Sequence, residues 1–222
     1  MDTMMIEAVK AGDLARVDEL LTEDPSLVLA RDAVGVSVLL LARYRSATAV
    51  VVRLLAAGAT VDVAEAAALG DADRLAALLA ADPGAVNARS ADGFTPLHYA
   101  AFFGGVAVAR ILLDLGADPN VRSDNDQLVM PLHSAVAGQS EVALLLIEHG
   151  ADVNVKQRHG WTPLHTASNE GHEKVVDALI AAGADPAATN DDGITAADLA
   201  EKRGHSDLAA RLRRLATSTE SR

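Results

Sequence analysis

Cysteine is absent from this chain of 222 residues, and Phe, Trp and Tyr make up only 3% of it, although half of the residues are hydrophobic. Without cysteine the chain forms no disulfide and offers neither a thiolate nucleophile nor a cysteine-ligated zinc site. Basic residues are also few: 19 Lys and Arg face 31 Asp and Glu, for a formal net charge of −12. This balance argues against a general nucleic-acid binder, whose phosphate contacts need clustered Lys and Arg.

Long apolar runs are missing as well. The sequence has no apolar stretch of 18 residues that could span a bilayer, and its first residues, Met1 to Thr3, lack the basic-then-apolar pattern of a secretory signal. The lack of cysteine is compatible with a reducing compartment. We therefore expect a soluble, cytoplasmic protein with no membrane partner.

What the sequence does contain is a repeated motif. The string Gly-x-Thr-Pro-Leu-His occupies residues 93–98 and 160–165, and Met130–His133 fills the gap between the two copies. A second motif, Gly-Ala-Asp, begins at Gly116, Gly150 and Gly183. Similarity at a fixed period of 20–50 residues is the signature of a repeat architecture.

Each repeated unit carries the signals of two short helices. Thr95 and Thr162 can cap the first helix, and the proline that follows each of them suits its first position. The apolar residues within Val175–Ile180 have the helical spacing expected of the second helix. The glycine of the Gly-Ala-Asp motif then ends that helix with a positive φ. Turn dipeptides such as Asp92–Gly93 indicate a tight hairpin between successive helix pairs.

These segments resemble ankyrin repeats. The resemblance implies an all-α solenoid of about seven stacked helix pairs joined by short hairpin-like loops, here called fingers, in which each pair is stable only against its neighbours. We expect a single domain over residues 1–216 and a disordered tail over 217–222. The expected units are degenerate repeats 1–31, 32–61 and 62–90, clear repeats 91–123, 124–156 and 157–189, and a C-terminal cap 190–216.

Two places depart from the family pattern. Ser46 to Gly70 spans 24 residues where about 33 are expected, so the finger between the second and third pairs should be missing. The fifth repeat should carry two extra residues around 124–128 and lack one near 137–138. In the same repeat Met130 replaces the capping threonine, which costs about 1 kcal/mol unless another group caps the helix.

The seven histidines invite a metal or catalytic interpretation. His98, His133 and His165 occupy one motif position, which in ankyrin repeats ties a loop to a helix by hydrogen bonds. Stacked helices lie about 8–10 Å apart, whereas two nitrogens on one zinc ion are at most about 4 Å apart. The sequence also has no phosphate-binding loop and no nucleophile-elbow or zinc-protease motif. We therefore expect no catalytic residue, no cofactor and no metal.

The six aromatic residues are more informative about binding. When the repeats are aligned, five fall at positions that line the concave face and fingertips of ankyrin repeats, where partners usually bind, and only Tyr99 falls where side chains pack between repeats. Aromatic side chains are favoured as interface anchors; the alternative is that they are buried against neighbouring fingers. The candidate partner-binding residues are Tyr44, Arg45, Asp92, Phe94, Phe102, Phe103, Arg158, His159, Trp161, Asn169 and Glu170.

The sequence thus predicts a monomeric, non-catalytic protein–protein interaction module, an adaptor, scaffold or inhibitor, that binds a protein partner on its concave and finger face. Between residues 110 and 200, 14 Asp and Glu face 5 Lys and Arg, so we expect the partner surface to be neutral or basic. One alternative is a repeat domain that binds or transforms a small metabolite, which needs a deep pocket that the sequence does not reveal. The other is nucleic-acid binding through the recurring basic residues Arg31, Arg89, Arg122 and Lys156.

Overall fold

The computed structural model describes the backbone of residues 1–219 and the side chains of residues 1–217. Within this part the helices form seven successive pairs, which confirms the expected all-α architecture of about seven helix pairs. The helices are α1 (Asp2–Ala11), α2 (Leu14–Glu23), α3 (Val38–Tyr44), α4 (Thr48–Ala56), α5 (Val63–Leu69), α6 (Ala72–Ala81), α7 (Pro96–Phe103), α8 (Val106–Asp114), α9 (Pro131–Val136), α10 (Ser140–Glu148), α11 (Pro163–Glu170), α12 (Glu173–Ala181), α13 (Ala196–Lys202) and α14 (Ser206–Thr219). Short 3-10 helices lie at Pro25–Leu29, Pro83–Asn87 and Arg158–Gly160.

Small residues allow the first helices of neighbouring pairs to stack closely. Ala100 and Ala101 of α7 and Ala167 of α11 are completely buried, and α5, α7, α9 and α11 pack one against the next. The second helices contribute larger buried side chains, such as Leu112 and Leu146. Burial of such apolar surface between neighbours is what stabilises a stacked repeat protein.

The fingers are hairpins closed by backbone hydrogen bonds. In four of them an amide donates to the carbonyl four residues later, and in the finger between α8 and α9 the Ser123 amide donates to the Val129 carbonyl six residues later. That finger therefore has two extra residues, and Leu128 within it adopts a left-handed φ of 51°. The four regular bonds are Asp32 to Val36, Ser90 to Phe94, Gln157 to Trp161 and Asn190 to Ile194.

The irregular fifth repeat matches its prediction in the helices too. Helix α10 starts nine positions after α9, against ten positions from α7 to α8 and from α11 to α12. One residue is therefore lost between the two helices of this pair, as the motif spacing predicted. Helix α9 is also the shortest α-helix among the described residues, with six residues.

The predicted gap between the second and third pairs is confirmed. Only residues 57–62 join α4 to α5, and the Ala59 amide in this link bonds back to the Leu54 carbonyl of α4 rather than across a hairpin. With no finger between them, the finger at residues 30–37 meets the finger at residues 88–95 directly. A Cβ atom added to Gly35 would lie only 3.1 Å from the Cβ atom of Ala91.

The same junction divides the apolar core into two clusters. One cluster lies within the first two pairs, from Met5 to Leu54, and the other extends from the third pair to Leu212 and includes Val36 and Leu40 of the second. Three side chains of the second pair cross the junction: the Ser37 hydroxyl donates to the Glu65 carboxylate at 2.5 Å, the Arg43 Nε donates to the Ala68 carbonyl at 2.8 Å, and Tyr44 reaches the finger beyond. The two halves are therefore joined by polar bonds as well as by packing.

A ladder of asparagines links the ends of successive repeats. Asn120 donates from its amide nitrogen to the Gly150 carbonyl at 3.1 Å and accepts from the Asp152 amide at 2.7 Å. Asn87 and Asn154 make the same pair of bonds with the glycine and aspartate of the next Gly-Ala-Asp corner. Each rung satisfies the carbonyl of the glycine just beyond a helix and the amide two residues later.

The C-terminal end differs from expectation. Helix α14 continues to Thr219, so the prediction of a disordered tail is wrong for residues 217–219. The apolar stripe of this helix, with Leu208 and Leu212 buried against α13, nucleates a helix that runs past its last core contact. The rest of the predicted tail, residues 220–222, lies outside the described residues. In the part of the chain that the structure covers, no helix has the length and apolar composition needed to cross a membrane.

Candidate functional site

The three motif histidines each fasten a helix to the next finger. His98 accepts the Thr95 amide at its Nδ1, 3.2 Å away, which leaves the proton on Nε2 for donation to the Val129 carbonyl at 3.1 Å. His133 and His165 repeat this arrangement towards Val155 and Ile194. The predicted structural role of these residues is therefore confirmed. Among the described residues, no group of three His, Asp or Glu side chains is arranged to hold a metal ion.

Burial keeps these rings neutral. Burial lowers the pKa of His98 and of His133 to about 4, although the hydrogen bond from each Nε2 to a carbonyl acts to raise it. Burial also lowers the pKa of His165. A neutral ring is the form that this geometry requires, because Nδ1 must act as an acceptor. Both nitrogens of His98 and His133 are occupied by backbone partners, so neither ring is available for proton transfer.

A groove of about 810 Å³ opens beside the fingers. Its walls come from three fingers, at residues 30–37, 88–95 and 122–130, and from the first helices α3, α7 and α9. These elements converge because the missing finger brings the first wall next to the second. The side chains that line the groove include Asp32, Val34, Val36, Tyr44, Asp92, Phe94, Phe102, Asp126, Gln127 and Thr166.

Five of the six aromatic residues form one cluster along the groove. The Phe102 and Phe103 rings meet edge to face with centroids 4.9 Å apart, and Tyr44 lies 6.2 Å from Phe102 and 5.7 Å from Phe103. Tyr99 is buried at the centre of the cluster, 1% exposed, as its position between repeats predicted. Phe94 is half-buried and packs edge to face on Tyr99 at 6.0 Å. Edge-to-face pairs of this kind have a preferred geometry, so the cluster is well ordered.

Phe102 is the exposed member of this cluster. Its side chain is 52% exposed, and Val34 across the groove is 65% exposed. Phe103, by contrast, is half-buried, and the guanidinium of Arg43 lies over its ring, 4.2 Å from the centroid. Phe102 and Val34 are therefore the accessible apolar anchors of the groove, while Phe103 supports Phe102 from behind.

Asp92 holds the cluster in place from the second finger. One carboxylate oxygen accepts hydrogen bonds from the Tyr99 hydroxyl at 2.5 Å and the Ser90 hydroxyl at 2.6 Å, and the other accepts from the Tyr44 hydroxyl at 2.7 Å. Burial, followed by the bond to Asp92, raises the pKa of Tyr44. Burial also raises the pKa of Tyr99, so both phenols stay protonated and act as donors. Asp92 is thus a positioning residue that fixes two rings at once.

The structure brings together Tyr44, Asp92, Phe94, Phe102 and Phe103 of the predicted site. The other candidates lie outside the groove lining. Arg45 donates to the Lys10 carbonyl in the first pair, Trp161 packs beside His165 at 6.2 Å, and Asn169 bonds to Glu170 and to Arg203. Arg158 and His159 are exposed in the finger between α10 and α11. A role for these six residues in partner binding stays a prediction.

Several lining residues were missed at the sequence level. Asp32 and Val34 belong to the first finger, and Asp126 and Gln127 belong to the longer finger that carries two extra residues. The signals were present in the sequence, since a deleted finger brings its two neighbours into contact and an inserted segment must project. The spacing of the motifs predicts both irregularities of the repeat, but it does not show that the altered fingers line a groove.

Three of the four recurring basic residues, Arg31, Arg89 and Lys156, brace the fingers. Arg31 donates to the Gly35 carbonyl at 3.0 Å, and Arg89 donates to the carbonyls of Gly93 and Arg122 at 3.0 and 2.8 Å. The Lys156 ammonium donates to the Thr189 carbonyl in the following finger at 3.0 Å. These cations therefore have partners within the fold, which accounts for their recurrence.

The chain belongs to the ankyrin-repeat family. The family description "Ankyrin repeats (3 copies)" matches residues 5–123 and 63–157, and "Ankyrin repeat" matches residues 159–191. The repeats are similar to those of neurogenic locus notch homolog protein 4 of Homo sapiens, with 42% identity over 95 residues, which are 42% of this chain and 5% of that protein. Calmodulin-binding transcription activator 5 of Arabidopsis thaliana is 40% identical over 82 residues, 34% of this chain and 9% of that protein.

A third relative covers more of the chain. The probable E3 ubiquitin-protein ligase XBOS31 of Oryza sativa subsp. japonica is 37% identical over 125 residues, 55% of this chain and 28% of that protein. The chain therefore spans less than a third of the length of each of these relatives. What they share with it is the repeat, a module that generally mediates protein–protein interaction and is not catalytic.

Proposed function

We propose that this chain is a non-catalytic module, an adaptor, scaffold or inhibitor, that docks a segment of a protein partner into the groove between its first three fingers. The observation that carries the proposal is the pair of exposed apolar side chains, Val34 and Phe102, on either side of a groove of about 810 Å³. Exposed apolar side chains gathered at a concave surface are typical of interaction sites.

The rigidity of the groove supports this function. Asp92 fixes Tyr44 and Tyr99, the aromatic rings pack edge to face, and the first finger lies against the second. A partner that binds such a surface pays little for ordering it, so burial of Phe102 contributes to affinity. A neutral or basic partner surface, a monomeric state and a cytoplasmic location complete the proposal, the last of them compatible with a sequence that contains no cysteine.

A peptide-display selection tests the proposal. The immobilised protein is presented with a random peptide library, and enriched peptides are measured against Phe102→Ala and against Leu115→Ala, which truncates a side chain of similar exposure, 54%, outside the groove. We expect Phe102→Ala to weaken binding at least tenfold, as for an interface anchor, and Leu115→Ala to leave it unchanged. Failure to enrich any peptide, or equal binding to both variants, would refute the docking site.

Small-molecule binding is the second candidate, because the volume of the groove falls within the range of about 300–1,000 Å³ typical of ligand pockets. The sequence had offered no pocket for this function. Thermal denaturation with a panel of metabolites distinguishes it: stabilisation that Phe102→Ala abolishes, with no peptide enriched, would favour this candidate.

Catalysis finds no support in the groove, since His98 and His133 are fully engaged with the backbone. Nucleic-acid binding is disfavoured because the recurring cations brace the fingers.

A further inference from the structure

The charge of the groove has one sign. Asp32, Asp92 and Asp126 line it, and the described lining residues include no Lys or Arg. The two lining histidines, His98 and His133, are neutral because burial lowers the pKa of each to about 4. A concave surface with carboxylates and low-dielectric walls concentrates a negative potential, which favours a cationic group in the bound segment.

The three carboxylates differ in how far they are committed to the fold. Asp92 accepts hydrogen bonds from three hydroxyl groups, so its negative charge is already stabilised by donors within the fold. Asp32 uses its Oδ1 to accept the amides of its own turn, at Val34, Gly35 and Val36. Asp126, at the exposed tip of the longer finger, has a side chain without a hydrogen-bond partner among the described residues. Asp126 and the second oxygen of Asp32 are therefore the acceptors left for a partner.

The aromatic cluster is already a binding surface for a guanidinium. Arg43 places its guanidinium 4.2 Å from the centroid of Phe103, while its Nε donates to the Ala68 carbonyl. Phe102 lies edge to face on that same ring and is 52% exposed towards the groove. A planar guanidinium is weakly hydrated and stacks on aromatic rings, whereas an ammonium group is compact and strongly hydrated. The combination of one exposed aromatic ring and free carboxylate oxygens thus suits arginine better than lysine.

We propose that the groove recognises an arginine side chain in an extended segment of the partner protein, a proposal that rests on the docking function above. The guanidinium lies against Phe102 and is paired by Asp126, Asp32 adds to the negative potential of the groove, and an apolar neighbour of the arginine contacts Val34. Asp92 does not bind the partner; it positions Tyr44 beside Phe102. The net charge of the chain, −12, attracts a basic segment to this face before contact.

The test uses the peptides enriched in the display selection. We expect them to contain arginine, and replacing that arginine by citrulline, its neutral isostere, to weaken binding at least tenfold, with lysine giving an intermediate loss. The affinity of the arginine peptide should also fall when the salt concentration is raised, because the pairing is partly exposed to solvent.

Protein variants provide the second arm. Asp126→Asn should weaken binding of the arginine peptide at least threefold and leave the citrulline peptide unchanged. Asp114→Asn removes the same charge from an exposed position outside the groove and should change neither affinity more than twofold. Enriched peptides without arginine, or equal binding of the arginine and citrulline forms, would overturn this inference while leaving the docking function intact. A selection that enriches no peptide would refute both.

Discussion

At the scale of single residues, the repeat uses a few polar side chains to join neighbours that apolar packing alone would leave free to slide. Asn120 and Asn154 each make two hydrogen bonds to the next repeat, and the position equivalent in the following repeat is Ala187, where the ladder ends. Because backbone groups are the partners, the loss of one asparagine leaves a carbonyl and an amide without their bonds. These groups are exposed and can bond to water instead, so the cost stays close to the net contribution of the hydrogen bonds.

Asn120→Ala should therefore destabilise the fold by about 0.5–1.5 kcal/mol, the net contribution of a typical hydrogen bond, because the two backbone groups are exposed to water. Gln127→Ala is the matched control, because it truncates an exposed amide whose side chain has no hydrogen-bond partner among the described residues. The free energy of unfolding from urea titration measures both. An equal effect of the two variants would show that the ladder does not stabilise the stack.

At Met130 a substitution should stabilise the fold. In the fourth and sixth pairs a threonine hydroxyl lies 2.8 Å from the histidine Nδ1, whereas Met130 supplies only its backbone amide to His133, at 3.2 Å. Met130→Thr should restore the hydroxyl and raise the free energy of unfolding by about 1 kcal/mol, the usual value of such a cap. A variant no more stable than the parent would mean that helix α9 is already adequately capped.

At the scale of helices and fingers, the neutral histidines make the link between each helix and the next finger sensitive to pH. The folded pKa of His98 and His133 is about 4, below the ordinary value of 6.5, so the unfolded chain binds more protons between these limits. Stability contributed by the neutral rings is therefore complete above pH 6.5 and is lost as the pH falls towards 4.

When the pH is lowered from 7.5 to 5.5, most carboxylates stay ionised. Over this interval the free energy of unfolding should fall by about 1 kcal/mol for each of these two histidines. Urea unfolding at the two pH values measures the change, and His98→Gln should reduce it by one histidine's share. A free energy of unfolding that does not change over this interval would contradict the assignment of a neutral buried ring.

The finger arrangement also shows what sequence can and cannot predict. Motif spacing predicted the missing finger after α4 and the two extra residues near Asp126, because deletions and insertions in a repeat are counted directly. It did not predict that the finger at 30–37 would meet the finger at 88–95, since this is a contact through space between segments that are far apart in the chain. For the same reason the register singled out Phe102, which lines the groove, but not Val34 and Gln127, which line it from other fingers.

At the scale of the whole molecule, the apolar core is divided where the finger is missing. The Tyr44 hydroxyl bonds to Asp92, 48 positions away in the sequence, and so joins the second pair to the finger of the fourth. This bond and the contact of Gly35 with Ala91 replace the stacking that an intact third finger would provide.

Tyr44→Phe should therefore weaken the first two pairs more than the rest. Loss of a hydrogen bond to a carboxylate costs about 1.5–3 kcal/mol, and hydrogen exchange should accelerate in α1–α4 more than in α10–α12. An even acceleration along the chain would show that the two clusters unfold as one unit and that the bond has no special place at the junction.

The central claim is that stacked helix pairs with one missing finger form a preorganised groove that docks a partner segment. Backbone amide NMR of the protein titrated with an enriched arginine peptide tests it most directly. We expect the amides whose chemical shifts change to cluster at residues 30–37, 90–103 and 123–129. The other amides of the two apolar core clusters should keep their chemical shifts. Shifts concentrated on the second helices, for example around Val52 and Leu115, would contradict it.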